Sequence, residues 1–569
     1  VLKMAMIDEI RRMLVVSISK RGSEVASRIS TVMRSRGHIV DAFCRYHVDG
    51  CDILSDPVKV FLADNLRRYD AAVLVMSLPG FYRISADLMI EKNHDVPVVV
   101  VDDAGRFAVA ASAGHAGGSD ELAAYIAGII DGQAVITDGI ESGGRVSVEK
   151  IARSLLATIA NPECIIPVNA AIANGEHVPV IFRSKKRSML RRLFAESSDE
   201  KHGYAIVLAD EPGEDANTCY LIPDDISIGI GFNSSADAEL ISACLERFLE
   251  EAGLAWEDID YVSSIKDLPD VSIIRKGTRF VKFDPADIRD IDPEMLTHVS
   301  DKARDVFGVP GVAEPCAIRS LGPGSKIFLP FRSCGRSVTL AAARRRKLFS
   351  GHISFIGVGP SDPDLMTMKA RRAIVASDIV AGYQMPLDIA KSMLWNKPKV
   401  VFHWKEQQRY VDEVIDLYEK GYRIAYLFTG DSCFTESELI RRFTSKCRNF
   451  DIIPGISSVQ AASSITGMAI EMAGIISFHV TGDIEDRKAD LLRTISERKR
   501  AIIIPRPYDF MPKDIAKFLT DRGFGDLPAV VIERATAADE RRTASFLKDL
   551  IGSDFSDISI MVVGKPVIA

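Results

Sequence analysis

The sequence predicts a multidomain α/β protein, on three observations. Short β-branched runs alternate with helical patterns, several of these runs end in glycine-bearing turns, and the chain exceeds what one hydrophobic core usually organises. With 569 residues, about three to four domains of ordinary size are expected. Hydrophobic residues at 47% and charged residues at 26% match soluble globular chains rather than disordered ones. The formal net charge of −7 opposes general binding to a phosphate backbone, so nucleic acid is not expected as a partner.

The nine cysteines show no CxxC pair and no Cys/His cluster with zinc-like spacing, which predicts thiols in a reducing cytosol and no protein-bound metal. Val1 to Met6 is mildly apolar but is followed by Asp8, Glu9, Arg11 and Arg12, leaving no signal-peptide core. The longest apolar runs, such as Val96–Val101, have strand length and fall far short of the roughly 20 residues that span a bilayer. A soluble, cytoplasmic protein without a membrane partner is expected.

Taken in order, Met13–Ile18, Ala71–Met76 and Val96–Val101 read as strands of a parallel sheet. Ser23–Arg36 places Val25, Ile29, Val32 and Met33 on one helical face. Phe107–Ala111 is a further strand, and the segment after it turns into a helix. From about Gly139 to Asp225 the pattern loses regularity, with Lys185-Lys-Arg187 and Arg191-Arg192 interrupting short apolar runs. A new unit starts with the strand Ile226–Gly231 and a helix over Ser235–Gly253, and continues to about Ala343. Arg344-Arg-Arg-Lys347 reads as a solvated basic linker. Beyond it the pattern restarts at His352–Gly357, a strand, with a helix predicted over Leu365–Ile374.

Three strand-end loops in this last region carry the chemistry: Gly357-Val-Gly-Pro360-Ser-Asp-Pro363, Tyr426-Leu-Phe-Thr429-Gly430-Asp431, and Asp451-Ile-Ile-Pro-Gly-Ile-Ser457-Ser458. Glycine lets the backbone approach a ligand closely, and hydroxyls adapt as donor or acceptor. Ser457 and Ser458 also suit helix capping before Val459. The glycine spacing does not fit a dinucleotide fingerprint, because Pro360 and Pro363 interrupt it. The constellation resembles the class III, tetrapyrrole-type methyltransferases, over about Ser350 to Ala569. That resemblance implies two α/β lobes holding S-adenosyl-L-methionine, with Pro360, Thr429, Gly430, Asp431, Ser457 and Ser458 at the cofactor positions, and commonly a homodimer. Pro454–Gln460 and Asp554–Val563 look most like the enzyme that methylates C5 of cobalt-precorrin-7. Ser361, where glycine is usual, and Ser432-Cys-Phe434, where Pro-Gly-Phe is usual, depart from the pattern and leave another ring position open.

Ser112-Ala-Gly-His115-Ala-Gly-Gly118-Ser-Asp-Glu-Leu-Ala123 follows a strand and opens a helix, so its backbone donors suit a substrate carboxylate. By itself, His115 reads more readily as a capping or packing residue than as a functional one. The segment resembles the Ser-Gly-His-Leu-Gly-Gly-Ala-Asn-Glu-Leu motif of the cobalt-precorrin-5A hydrolases. Gly311-Val-Ala-Glu314-Pro-Cys-Ala317 and the later Lys326 resemble that family's C-terminal module. Departures lie at Gly229-Ile-Gly-Phe-Asn-Ser234, where an arginine is lost, and at Asp267 and Asp270, near an expected glutamate.

The two resemblances imply N-terminal α/β modules of the hydrolase family and a C-terminal two-lobed class III methyltransferase. The implied boundaries are 13–145, a middle segment 146–225, 226–344 and 350–569. They further imply a bifunctional enzyme of the anaerobic cobalamin pathway, acting on cobalt-precorrins whose cobalt belongs to the macrocycle. His115 is the expected base for lactone hydrolysis, since imidazole titrates near neutrality. Glu314 is either a second catalytic carboxylate or a helix-start ion-pair residue. A non-catalytic corrinoid-binding scaffold is the alternative from a different class.

Overall fold

Runs rich in Val and Ile become fully buried strands because helices cover both sheet faces. The computed structural model describes residues 10–90, 95–113, 118–137, 140, 145–194, 203–395, 397–435, 437–480 and 482–565. Two units are separable, Val1–Phe349 and Ser350–Ala569.

The first unit contains three sheets. β1 (Arg12–Ser17), β2 (Ile39–Cys44), β3 (Asp52–Ile53), β4 (Ala71–Val75), β5 (Val98–Val101), β6 (Phe107–Ser112) and β7 (Gln133–Val135) form a seven-stranded sheet in the order β3-β2-β1-β4-β5-β6-β7. β1 to β5 run parallel, whereas β6 is antiparallel to β5, with Ser112 opposite Val98. The end of β6 therefore lies at the edge where β1, β4 and β5 begin. The helix Lys20–Ser35 starts three residues before the expected Ser23, because the Ser19 side chain accepts from Gly22 N. Its Ala26, Ile29 and Met33 are buried in one core, with Val25 and Val32 packed alongside.

The irregular-looking middle segment is a small domain. β8 (Ala157–Ile159), β9 (Val180–Phe182), β10 (Ala205–Leu208) and β11 (Thr218–Pro223) form a sheet ordered β8-β11-β10-β9, flanked by helices Val148–Ser154 and Ile165–Asn174. The third sheet, β14-β13-β12-β16-β15, comprises β12 (Asp225–Phe232), β13 (Tyr261–Ser264), β14 (Arg279–Lys282), β15 (Lys326–Cys334) and β16 (Val338–Arg345). β12 to β14 are parallel, and β15 and β16 close the sheet antiparallel. The first unit is thus three α/β modules, each with its own sheet.

Two expectations are corrected here. The basic run is not a free linker: Arg344 and Arg345 end β16, Arg344 lies 3.7 Å from Asp224, and Asp225 pairs with Arg345 at 2.9 Å and Lys347 at 2.8 Å. Nor do all cysteines remain thiols, since Cys164–Cys219 and Cys244–Cys334 are disulfides with sequence separations of 55 and 90. Such separations leave no local motif to read.

Middle and third modules are pinned by a fully buried ion pair. Arg187 donates from its backbone N–H and from Nη1 to Asp258 Oδ1, at 2.5 and 3.0 Å, and its other nitrogens reach the carbonyls of Leu155, Leu156 and Asp224.

The second unit has two sheets. β17 (His352–Gly357), β18 (Ile379–Gly382), β19 (Lys399–Val401), β20 (Arg423–Phe428) and β21 (Phe450–Ile453) form an all-parallel sheet ordered β19-β18-β20-β17-β21. β22 (Gly474–Ser477), β23 (Ala501–Ile504), β24 (Pro528–Glu533), β25 (Arg541–Phe546) and β26 (Ser559–Val563) form a mixed sheet ordered β22-β23-β26-β24-β25. The helix expected over Leu365–Ile374 begins at Met368, where Thr367 caps it, after a short 3-10 turn over Pro363–Leu365.

Replacing Asp258 by Asn strands a buried guanidinium and is expected to cost about 3–5 kcal/mol, read as a shifted urea midpoint of the first unit's transition. Burial opposes ionisation of Asp225, but hydrogen bonds from Lys347 and Arg345 outweigh it and hold the carboxyl below its ordinary value. Its stabilising contribution is present above the unfolded value of about 3.9 and is lost as the pH falls through the folded value. The stability gap between wild type and Asp225→Asn is therefore expected to be full at neutral pH and to close on acidification below about pH 4, measured by urea denaturation across that range.

Candidate functional site

In the parallel sheet of the second unit the strand order reverses beside β17, and ligand sites of open α/β sheets lie at such a carboxyl edge. β20, β17 and β21 are neighbours, so the three glycine-bearing loops emerge side by side. Gly359 and Gly430 exchange backbone hydrogen bonds, Gly359 N to Gly430 O at 3.2 Å and Gly430 N to Gly359 O at 2.8 Å. A Cβ on Gly357 would stand 2.5 Å from Gly430 O and 2.7 Å from Gly455 N, and one on Gly455 would strike Gly430 O. Three backbones are in contact there, and a side chain on Gly357 or Gly455 would not permit it.

The expected cofactor residues are brought together around this contact. Pro360 is buried beside Gly359, and Thr429 is exposed at the end of β20. Gly430 has φ +73°, the left-handed region, while the nearest atoms to a Cβ there lie 3.7 Å away, so conformation rather than space demands glycine. Asp431 uses both oxygens internally, accepting from Cys433 N at 2.9 Å and Gly455 N at 3.0 Å, and so staples the second loop to the third. Ser457 caps the helix Ser458–Thr466, with its Oγ accepting from Gln460 N and Gln460 Oε1 accepting from Ser457 N. Ser458 is the first residue of that helix and half-buried.

The departures are accommodated locally. Ser361 Oγ donates to Pro360 O at 2.5 Å, and Ser432 buries a hydroxyl that has no hydrogen-bond partner among the described residues. Sequence reasoning missed Thr536. It follows β24 in the second lobe with φ +69°, and its Oγ1 accepts from Asp362 N at 3.1 Å, holding the first loop. No local motif marks it, because the partner lies 174 positions away. The contact of bare backbones, the exposed Thr429 and the unpartnered Ser432 hydroxyl fit a ligand with polar edges bound largely by main-chain groups.

In the first unit, Gly229 and Gly231 of β12 let the helix Ala313–Leu321 lie directly on the strand: a Cβ on Gly229 would strike Ala313 O. That contact buries Glu314 at 2% exposure. Its carboxylate accepts from Thr297 N at 2.7 Å, His298 N at 3.1 Å, Phe331 N at 3.0 Å and the Thr297 hydroxyl. Four donors leave no free oxygen to act on water, so the geometry gives Glu314 a holding task. His115 lies outside the described residues. The ends of its turn are described: Ala113 has φ +54°, Gly118 φ +79°, and Ser119 N donates to Ala113 O at 3.3 Å ahead of the helix Ser119–Ile130. Lys266 Nζ donates to Phe232 O at 3.1 Å, Asp267 pairs with Lys282 at 2.6 Å, Asp270 caps the turn Val271–Ile273, and Lys326 is exposed at the start of β15.

A parallel sheet with three loops gathered at its carboxyl edge, followed by a mixed second sheet, is the two-lobed architecture of class III methyltransferases. The tetrapyrrole (corrin/porphyrin) methylases match residues 352–551. The cobalamin synthesis G N-terminal module matches residues 60–141, a CbiG-like linker domain 146–223, and the cobalamin synthesis G C-terminus 226–343. A protein named "Probable cobalt-precorrin-7 C(5)-methyltransferase" from Methanocaldococcus jannaschii is 30% identical over 213 residues, 37% of this chain and 96% of that protein. A cobalt-precorrin-5A hydrolase from Priestia megaterium is 23% identical, covering 58% of this chain and 94% of that protein. An S-adenosyl-L-methionine-dependent uroporphyrinogen III methyltransferase from Methanosarcina barkeri is 25% identical, covering 35% and 84% respectively. The chain belongs to the tetrapyrrole (corrin/porphyrin) methylases and carries the cobalamin synthesis G modules ahead of that domain; it is an enzyme of cobalamin biosynthesis. Among the described residues, no helix is long and apolar enough to cross a membrane.

The two kinds of glycine predict different costs. Gly455→Ala is expected to destabilise by about 1–3 kcal/mol through collision with a neighbouring backbone. Gly430→Ala is expected to cost about 1–2 kcal/mol through its left-handed conformation alone. Urea denaturation of the two variants in the full chain, with the Gly455 change the more damaging, checks the assignment.

Proposed function

We propose that the chain is a bifunctional enzyme of anaerobic cobalamin (vitamin B12) biosynthesis, with module boundaries 13–145, 146–225, 226–344 and 350–569. The N-terminal modules hydrolyse the cobalt-precorrin-5A lactone with release of acetaldehyde, and the C-terminal domain methylates cobalt-precorrin-7 at C5. The observation that carries the reading is the meeting of three glycine-bearing loops at one carboxyl edge, in a domain 30% identical to the Methanocaldococcus jannaschii protein. Cobalt enters as part of the substrate macrocycle. The cytoplasm is the proposed compartment and a homodimer the proposed assembly, which light scattering on the purified chain tests.

When bound, S-adenosyl-L-methionine supplies an electrophilic methyl group to an already nucleophilic ring carbon. The chain's part is positioning. The carbonyls of Pro360 and Gly430, each with a lone pair left, and the main chain of Thr429 receive the cofactor's polar edges, Ser457 and Ser458 present hydroxyls beside them, and Asp431 and Thr536 keep the loops in register. Alignment of this kind supplies roughly 7–11 kcal/mol, so no strongly perturbed acid or base is required. In the N-terminal half, His115 is the base for water, taking a proton at an imidazole nitrogen, and Glu314 holds the loop bearing Thr297 and His298.

Incubating the full chain with cobalt-precorrin-5A, cobalt-precorrin-7 and methyl-labelled cofactor, followed by mass and NMR analysis, tests both activities. Acetaldehyde release and one labelled methyl at C5 are expected. A label at another ring carbon corrects the position, and binding without turnover of either substrate identifies a scaffold. His115→Ala is expected to lower acetaldehyde release by about 100- to 10,000-fold while methyl transfer is retained. A loss below about tenfold in a folded variant assigns His115 to packing or capping instead.

A further inference from the structure

The amino edge of the seven-stranded sheet is rich in arginine, and Arg12 and Arg67 have internal partners. Arg12 pairs with Asp41 at 2.9 Å and Glu294 at 3.5 Å, and Arg67 pairs with Asp95 at 3.1 Å. Asp70 accepts from the backbone N–H groups of Arg11 and Arg12, and Glu314 is filled by its four donors. The guanidinium of Arg11 differs. It is half-buried, and among the described residues it makes no ion pair within 4.0 Å and no side-chain hydrogen bond. Burial lowers its pKa below the ordinary arginine value, and the charges of Glu314, Asp70 and Glu294 offset this only in part. A desolvated cation with no ion pair of its own is costly, and a directly hydrogen-bonded anion lowers that cost.

Two further features share this edge. The loop around Glu294 reaches it through Arg12, and continues to His298, whose exposed ring stacks on Phe331 at 4.2 Å and 27°. Both stacked residues donate a backbone N–H to Glu314, the carboxylate whose charge acts most strongly on Arg11. The described ends of the 112–119 turn lie on the same edge, because β6 ends opposite the start of β5 and Ser112 Oγ donates to Val96 O. From β1 to β6 is three strand spacings, about 14 Å at ~4.8 Å each, a span suited to a substituted macrocycle rather than a small acid.

We propose that Arg11 anchors a peripheral carboxylate of the corrinoid bound by the N-terminal modules, at the amino edge of the seven-stranded sheet. This rests on the hydrolase reading and adds where the substrate is held and by which charge. A guanidinium meets a carboxylate through two parallel hydrogen bonds, so it selects free acids over esters or amides. The neighbouring carboxylates are all engaged with donors of their own, which leaves Arg11 as the group that gains most from the incoming anion.

The test uses the full chain and two stable probes, cobyrinic acid and its fully methyl-esterified form, with binding followed by quenching of intrinsic fluorescence. In the presence of saturating S-adenosylhomocysteine, wild type is expected to bind the acid at least tenfold tighter than the ester. Arg11→Gln is expected to lose at least tenfold affinity for the acid and to bind the ester unchanged, with Arg11→Lys intermediate. Arg12→Gln, whose native partners are internal, keeps the preference. Thermal unfolding of each variant separates misfolding from lost recognition, and Arg11→Lys retains the charge should Arg11→Gln fail to fold. Equal binding of acid and ester by wild type, no binding of the acid, or undiminished binding by folded Arg11→Gln overturns the proposal. Acid-selective binding that depends on Arg11, without acetaldehyde release from cobalt-precorrin-5A, sinks the hydrolase reading and leaves the anchor standing.

Discussion

The architecture depends on main chain meeting main chain without intervening side chains. In the second unit, Gly357, Gly430 and Gly455 bring three strand ends into contact, and in the first unit Gly229 seats the helix Ala313–Leu321 on β12. A Cβ on Gly357, Gly455 or Gly229 would collide with the opposing backbone, and each contact fixes polar groups beside it. Asp431 and Ser457 stand beside the first contact; Glu314 is buried by the second. The loops are precise because they rest on rigid strands, and their remaining polar atoms stay available at the edge.

Charge organises the larger assembly of modules in the first unit. Arg187 and Asp258 are both fully buried and satisfy each other, with the remaining guanidinium nitrogens on carbonyls. Such a pair adds little net stability over apolar packing, but breaking it leaves an unpaired buried charge, so it specifies one relative placement of the middle and third modules. Asp224 and Asp225 do similar work at the end of β16. Burial raises the pKa of Asp224, whereas Lys347 and Arg345 hold that of Asp225 down.

Legibility followed sequence separation. The three loops of the methylase domain are contiguous strings, each a strand plus its turn, and their residues met as expected because parallel strands put their carboxyl ends on one edge. The middle segment 146–225 was bounded but its elements were not read, because two of its four strands have three residues apiece and its helices are short, giving no periodicity to read. Arg344–Lys347 looked solvated because its partners, Asp224 and Asp225, lie some 120 positions earlier. Glu314 read as a candidate base because its donors at Thr297 and Phe331 are each 17 positions away on separate elements.

By itself the sequence determined the α/β class, the restart at His352, the strand-end loops and the family that these strings resemble, since period-2 and period-3.6 patterns and glycine turns are local properties. The tertiary structure alone decided which polar groups were already spent. Asp431 became a staple, Ser457 a cap and Glu314 a pin, while the guanidinium of Arg11 was left half-buried without an ion pair among the described residues. Whether a side chain is free to act depends on hydrogen bonds closed across distant segments, and those exist only once the strands have packed.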